Sequence, residues 1–184
     1  MNHYLSNIDL RSEVPHGFNE ITFGAGCFWG VERKFYELEG VYLTSVGYCG
    51  GSLNNPTYEQ VCYEDTGHAE VVKVTYDPNK ISLDQLLIVF WECHDPTQGM
   101  RQGNDIGSQY RSVIFCYSAD DLEVAKLSMH KYQAALNTQG LGGITTEILK
   151  KEEYFFAEEY HQQYLAKNPN GYCGIGGTNC PFPK

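Results

Sequence analysis

In "FGAGCFWGVERKF", Phe23 to Phe35, one cysteine stands among glycines and ahead of two large aromatics. Val31, Phe35 and Leu38 then recur at helical spacing, so Cys27 falls at or just before a helix amino terminus. Unpaired N–H groups and the positive end of the helix dipole favour a thiolate there and lower its pKa. The other reading of a free cysteine is a small buried hydrophobe. Phe28 and Trp29 bear on the choice, because two adjacent large aromatics cannot both face the core of one helix. One is left to line a pocket beside the sulfur.

Cys173 and Cys180 are seven residues apart in "NGYCGIGGTNCPFPK", with Gly174, Gly176 and Gly177 between them. Such a segment can bring either sulfur to the other or to a distant thiol, which suits a resolving relay; the bland reading is two incidental tail cysteines. Cys49, Cys62, Cys93 and Cys116 fall within strand, loop or helix patterns and read as packing residues. No paired short spacing matches a structural zinc site, and adjacent Cys93 and His94 cannot easily share one ion, so no metal is expected. A cysteine-protease arrangement would need a histidine base and would leave the tail cysteines without use.

Glu70 stands at the edge of the apolar run "AEVVKVTYDP", after a loop carrying Tyr58 and His68. Held against apolar neighbours, its carboxyl would stay protonated near neutrality and could donate that proton; otherwise it is an exposed strand-edge glutamate. Asp105 and Tyr110 in "GNDIGSQYRS" are hydrogen-bonding groups for a pocket or for the loop itself. His161 in "EEYHQQY" reads as a surface or packing histidine.

The elements that must position these residues follow from periodicity. Residues 20 to 24 form a short strand, and the helix after Cys27 stops at Gly40. "VYLTSVGY" from Val41 and "AEVVKVTYDP" from Ala69 have strand composition, with a long Gly-, Asn-, Pro- and Thr-rich loop between them. "SLDQLLIVFWECH" opens with Ser82 and Gln85 in capping-box spacing and is a helix. Residues 95 to 110 lack an apolar period and form a long loop, of the kind that tends to be functional, before the strand "RSVIFCYS". Leu122, Ala125, Met129, Tyr132 and Leu136 mark another helix, "TTEILK" a strand, and "YFFAEEYHQQYLAKNP" a helix closed by Pro169. The order strand, helix, strand, strand, helix, strand predicts an α+β fold. It is a two-layer α/β plait of ferredoxin-like type, with helices on one face of a mixed sheet, long functional loops and a flexible carboxy-terminal tail.

At 184 residues the chain suits one domain, with 1–19 as an amino-terminal extension and 168–184 as the tail. A net charge of -10, with only 13 scattered Lys and Arg, argues against a nucleic-acid partner. No run approaches the length of a membrane span, and the first residues have no leader signature. Seven cysteines, an odd number in a chain too large to need staples, read as thiols, so a reducing cytoplasm is expected. The chain is expected to act as a monomer.

Together, "GCFWG", "NPTYEQVC", "TGHAEVV", "HDPTQGMRQGNDIGSQYRS", "EEYHQQYL" and "NPNGYCGIGG" make the sequence closely resemble the peptide methionine sulfoxide reductase A family, from about Phe23 to Cys180. The resemblance implies reduction of methionine-S-sulfoxide, free or in proteins, with no metal or organic cofactor. It implies Cys27 as nucleophile, Glu70 as proton donor, and Tyr58 and Tyr110 as hydroxyls on the sulfoxide oxygen. Asp105 would belong to the supporting polar network, and Phe28 and Trp29 to the pocket for the substrate methyl. It further implies that Cys173 resolves a sulfenic acid on Cys27, that Cys180 exchanges onto Cys173, and that thioredoxin reduces the tail disulfide. Cys49 occupies a place where a small or hydroxyl residue is expected, and close to Cys27 it would be an extra resolving thiol. The rival class is a redox sensor or peptide-binding module without turnover, which would have no need of Glu70 beside two tyrosines.

Overall fold

The computed structural model describes residues 1–183. After the first strand, β1 (Asn19–Ala25), the chain turns through Gly26 and Cys27 into α1 (Phe28–Tyr36). The strand β2 (Val41–Cys49), a short helix α2 (Tyr58–Tyr63), the strand β3 (Ala69–Tyr76) and the helix α3 (Leu83–Cys93) follow. Ser82 caps α3 with Gln85 as its spacing predicts. Residues 95 to 110, expected as an irregular loop, hold a small hairpin of β4 (Arg101–Gln102) and β5 (Asp105–Ile106) and a 3₁₀ turn at Ser108–Tyr110. Then come β6 (Ser112–Cys116), α4 (Ala119–Thr138), β7 (Glu147–Lys150), β8 (Tyr154–Phe156) and the single turn α5 (Tyr164–Lys167).

Two sequence expectations fail. The loop before β3 contains α2, because Thr57 and Gln60 form a capping box: the Thr57 hydroxyl accepts the Gln60 N–H, and Gln60 Oε1 accepts the Thr57 N–H at 3.1 Å. The helix expected from Tyr154 to Pro169 is absent except for its last turn. Tyr154–Phe156 instead pairs with β2, where free strand groups outbid local helix propensity. Beyond it, the Gln162 side chain closes on the backbone of β2, accepting the Val46 N–H at 2.9 Å and donating to the Val46 carbonyl at 2.8 Å. Gln163 is left-handed at φ 47°, which ends any helix approaching from that side.

The six-stranded sheet has the order β7-β6-β1-β3-β2-β8, antiparallel throughout except for the parallel β6–β7 pair. The fold is thus α+β with a mixed sheet. Register puts Ile21, Phe23, Val46, Tyr48, Glu70, Val72, Val74 and Ile114 on one face, and α1, α3 and α4 pack there through Val31, Phe35, Leu87, Phe90 and Tyr132. Cys49, Ala69, Val71, Val113 and Phe115 form a smaller cluster on the opposite face. Cys49 therefore lies across the sheet from Glu70, and the reading of an extra thiol beside the reactive residues has no support in the register.

The amino-terminal residues close a buried polar network rather than trailing free. Glu32 of α1 is fully buried and accepts the Thr44 hydroxyl at 3.0 Å, the Gln163 N–H at 2.8 Å and the Gln163 side-chain N–H at 2.7 Å. The His3 ring meets the same Thr44 hydroxyl at 3.2 Å, and the Tyr4 N–H donates to Gln163 Oε1. Burial pushes the Glu32 carboxyl up to about 7, against these donors.

Phe23 is wholly buried, with its ring stacked between Phe35 at 4.9 Å and Phe90 at 5.1 Å. Phe23→Ala opens a cavity where sheet, α1 and α3 meet, and is expected to lower the unfolding free energy by about 3–5 kcal/mol. Urea denaturation would measure this, and a loss below about 1 kcal/mol would contradict the assigned core.

Candidate functional site

Cys27 is the N-cap residue of α1, half-buried, and its sulfur makes no capping hydrogen bond, although the nearby N–H groups of Trp29 and Gly30 favour its charged form. The turn that places it uses Gly26 at φ 95°, where a side chain would also run into Gln102. The low thiol pKa expected at this helix start does not result. Burial first, and the Glu70 carboxyl second, push the Cys27 thiol well above its ordinary value and outweigh the two N–H donors. A one-turn dipole is a small effect beside loss of solvation.

Glu70 reaches the same turn from β3. Only 1 % of it is exposed, and its Oε2 accepts the Phe28 N–H at 3.0 Å. Register explains its position: β3 pairs with β1 on one side and β2 on the other, and the face that carries Val72 and Val74 turns the Glu70 side chain under the start of α1. Burial, only partly offset by the Phe28 N–H, raises this carboxyl to about 8, with Asp105 adding to the rise. The buried-acid reading of Glu70 holds and the exposed-edge reading fails. At neutral pH the pocket contains a thiol and a protonated acid one residue apart in their contacts.

Tyr58 opens α2 and Tyr110 closes the 3₁₀ turn, and both hydroxyls come to the Cys62 sulfur, one turn along α2 from Tyr58. Burial first and the Glu70 carboxyl second raise both phenols well above their ordinary value, so they are neutral donors. Asp105 lies on β5 and accepts the Tyr172 hydroxyl at 3.1 and 3.2 Å. Cys62 was read as packing, and its contact with both tyrosines depends on the helix that the sequence reading missed.

Phe28 and Trp29 diverge as expected: Phe28 is buried at 1 % exposure and Trp29 is half-buried. Trp29 stacks on Tyr164 with ring centroids 3.9 Å apart, and its indole N–H donates to His161 Nδ1 at 3.0 Å. That bond puts the His161 proton on Nε2, which is buried, has no partner among the described residues and lies 3.9 Å from a Glu158 oxygen. Burial lowers the His161 ring to about 4. Phe28, Tyr58 and Tyr160 pack around the same ring at 5.1, 4.5 and 4.0 Å. Glu158 accepts the Tyr58 N–H and the Tyr48 hydroxyl, both at 2.9 Å. Burial opposes its charge, but those donors and its own N–H outweigh it and hold the carboxyl below its usual value.

Cys173 and Cys180 part company. Cys173 lies against the first turn of α1, where a methyl on Gly30 would stand 3.0 Å from its sulfur, and Arg33 Nη2 donates to that sulfur at 3.4 Å. Cys180, in a tail expected to be flexible, is 2 % exposed and docked. Tyr132 donates to its carbonyl at 3.0 Å, the Phe182 N–H donates to Glu92 at 2.7 Å, and the Phe182 and Tyr132 rings stack. Among the described residues no three His, Cys, Asp or Glu side chains converge as a metal site would require.

The sequence carried no local sign of His161, Glu158, Tyr164 or Tyr172 as pocket residues, since each acquires its place through a contact more than 60 residues away in the chain. The arrangement is a hindered thiol, a neutral acid and neutral phenols beside an aromatic wall. It suits attack on an acceptor whose oxygen must gain protons as it departs.

Residues 19–179 match the family model described as peptide methionine sulfoxide reductase. A peptide methionine sulfoxide reductase MsrA from Brucella anthropi is 57 % identical over 183 residues, covering 98 % of this chain and 84 % of the relative. The solved methionine sulfoxide reductase A of Corynebacterium diphtheriae superposes with a TM-score of 0.87 at 44 % identity, covering 99 % of this chain and 89 % of that one. Yeast Mxr1 in complex with Trx2 aligns at a TM-score of 0.57 and 29 % identity, over 85 % of this chain and 91 % of that one. With a matched model across most of its length and relatives above half identity, this chain belongs to the peptide methionine sulfoxide reductase family.

Proposed function

We propose that Cys27 attacks the sulfur of methionine-S-sulfoxide while Glu70 protonates the departing oxygen. The observation that carries this reading is Glu70, a buried acid at about 8 whose carboxyl shares the α1 amino terminus with the thiol. Tyr58 and Tyr110 hold the oxygen, Asp105 anchors Tyr172 at the rim, and Phe28 and Trp29 receive the substrate methyl. The Cys27 proton follows to the same oxygen, which leaves as water as the sulfur–sulfur bond forms. Water then adds to the Cys27 sulfur, the sulfur–sulfur bond breaks with its electron pair going to methionine, and a proton returns to Glu70; methionine is reduced by two electrons and Cys27, now a sulfenic acid, is oxidised by two.

Cys173 then attacks the Cys27 sulfur, water departs, and a Cys27–Cys173 disulfide forms. Arg33 supports this step by setting a cation and a donor against the Cys173 sulfur. Cys180 next displaces Cys27 from Cys173, which requires the docked tail to leave Tyr132 and Glu92, and thioredoxin reduces the Cys173–Cys180 disulfide. The yeast Mxr1–Trx2 complex favours thioredoxin as the reductant.

Several finer readings complete the proposal. The four strands β6-β1-β3-β2, antiparallel and joined through α1 and α3, serve as a ferredoxin-like plait carrying the site. The chain acts as one reductase domain, 1–184, with the 1–19 extension and the 168–184 tail, and as a monomer, since one chain supplies every group named. The cytoplasm suits seven free thiols, and no helix among the described residues is long and apolar enough to cross a membrane.

Reduced protein mixed with the S epimer and no external reductant is expected to form at least about one methionine per chain, with two or more thiols lost. Cys27→Ser should form none and Cys173→Ser one; methionine from the Cys27 variant would overturn the assignment. Glu70→Gln should slow that first turnover by roughly 10²-fold or more, and an unchanged rate would remove Glu70 from the chemistry.

The acid form of Glu70 is the proton donor, so the rate of that turnover should fall as pH rises through about 8. The same raised pKa links to stability. The contribution of this carboxyl is fully present below its ordinary value of 4.5 and is lost as pH rises through about 8. The urea midpoint should therefore drop more between about pH 6 and pH 9 in the wild type than in Glu70→Gln, and equal drops would contradict a buried neutral acid.

A further inference from the structure

We propose that the folded arm of residues 1–10 is a positioning element for the substrate. It holds Gln163, and through it the Tyr164 and His161 rings that orient Trp29, so the arm sets affinity for methionine sulfoxide without touching it. The proposal rests on the reading of Trp29 as a wall of the pocket for the substrate methyl.

The arm is a closed loop with its own hydrogen bonds. The His3 N–H donates to the Ile8 carbonyl and the Asn7 N–H to the His3 carbonyl, both at 2.8 Å, and the Leu10 N–H donates to the Met1 carbonyl at 2.9 Å. His3 and Leu10 are buried against the body of the protein. The Ser6 N–H donates to His3 Nδ1 at 3.3 Å, so the ring proton is on Nε2 and goes to the Thr44 hydroxyl at 3.2 Å. Thr44 in turn donates to Glu32 at 3.0 Å. Every donor in this chain points toward Glu32, which fixes the sense of the network.

The arm meets the pocket at Gln163. This residue is wholly buried, and its backbone N–H and side-chain amide donate to Glu32 at 2.8 and 2.7 Å. Its side-chain acceptor, Oε1, takes the Tyr4 N–H at 2.9 Å, and no other donor reaches that oxygen among the described residues. Without Tyr4 it would be a buried carbonyl lacking a partner, which is unfavourable. Local preferences do not hold the segment. A left-handed φ of 47° is unfavourable for a residue with a side chain, and α5 is a single turn, too short to persist alone. The Tyr4 ring also lies 5.9 Å from Lys167 Nζ, so the arm reaches both ends of α5.

The residues flanking Gln163 carry the effect to the pocket. Tyr164 stacks on Trp29 with ring centroids 3.9 Å apart and planes within 17°. The Tyr164 N–H donates to the His161 carbonyl at 3.2 Å, and His161 Nδ1 accepts the Trp29 indole N–H at 3.0 Å. Trp29 is thus held on its face by Tyr164 and at its N–H by His161. Cys27 and Glu70 are fixed separately, by the Gly26 turn against Gln102 and by the Phe28 N–H. Releasing the arm therefore loosens the wall and leaves the reacting pair in place, and the loss falls on substrate affinity rather than on the chemical step.

The test uses the full chain and N-acetyl-methionine-S-sulfoxide amide, following the first burst of methionine without external reductant across substrate concentrations. Tyr4→Pro deletes the N–H given to Gln163, and proline suits the first residue of the turn that the Asn7 N–H closes on His3. Tyr4→Ala keeps that N–H. Tyr4→Pro should raise the half-saturating concentration about three- to tenfold with the limiting rate unchanged, and Tyr4→Ala should match the wild type. In Trp29→Phe protein, Tyr4→Pro should add nothing further. A loss of limiting rate, equal effects of the two Tyr4 variants, no effect of either, or the same effect in Trp29→Phe protein would each overturn the proposal.

Reciprocity supplies a measurement that needs no arm variant. In Cys27→Ala protein, saturating substrate should slow exchange of the Tyr4 amide by the same factor of about three to ten. No slowing, or equal slowing at core amides such as Val72, overturns the proposal. No methionine from the wild type would defeat the reactive-pair reading. Acrylamide quenching of Trp29, the only tryptophan left in Trp91→Phe protein, would still decide the role of the arm. Quenching should rise with Tyr4→Pro and not with Tyr4→Ala, and equal quenching overturns the proposal.

Discussion

Everything at this site depends on one buried carboxyl held by one backbone amide. Glu70 lies inside the sheet–helix layer with Phe28 N–H as its donor, and a single such bond does not replace the lost water. The group stays protonated instead, and that proton is what the proposed chemistry uses. The same constraint explains the Cys27 thiol. Stabilising a thiolate beside Glu70 would require solvation that the pocket lacks, so burial holds the Cys27 sulfur as a thiol.

Holding an unsolvated acid at the start of a helix requires that helix to be fixed from both ends. The buried Glu32 network does this one turn along α1, drawing together β2, the amino-terminal residues and the backbone of Gln163. The left-handed Gln163 is the conformational consequence: its amide and side chain both turn to Glu32, and the chain that precedes it is freed to bring His161 onto Trp29. Irregular backbone between β8 and α5 is thus stabilised by side-chain hydrogen bonds, chiefly those of Gln162 and Gln163, in place of helical ones.

The two tail cysteines differ in burial. Cys173 rests on the bare surface of Gly30, in the first turn of the helix that Cys27 caps. Cys180 is part of the core cluster with Phe182 against Tyr132. A tail that packs in one state and must unpack in another gives the proposed relay its order, since the first disulfide can form with the tail docked and the second cannot.

By itself the sequence determined the periodic elements. β1, α1, β2, β3, α3, β6, α4 and β7 stand where alternation, helical spacing and the Ser82 cap put them, because those signals are local and each follows from which face must be buried. The motifs around Cys27, Glu70, Tyr58, Tyr110, Asp105 and Cys173 identified the family. Only the tertiary structure decided the rest. The residues from Tyr154 to Gln163 have helical composition but form a strand and a left-handed turn, since an open edge of β2 and a buried glutamate offered partners that no neighbour in the chain could match. Cys49 went to the opposite face by one step of register, and the Cys27 thiol went up in pKa where its helix position alone would have taken it down. Both outcomes are set by burial, which depends on the packing of distant segments and has no local signature in the chain.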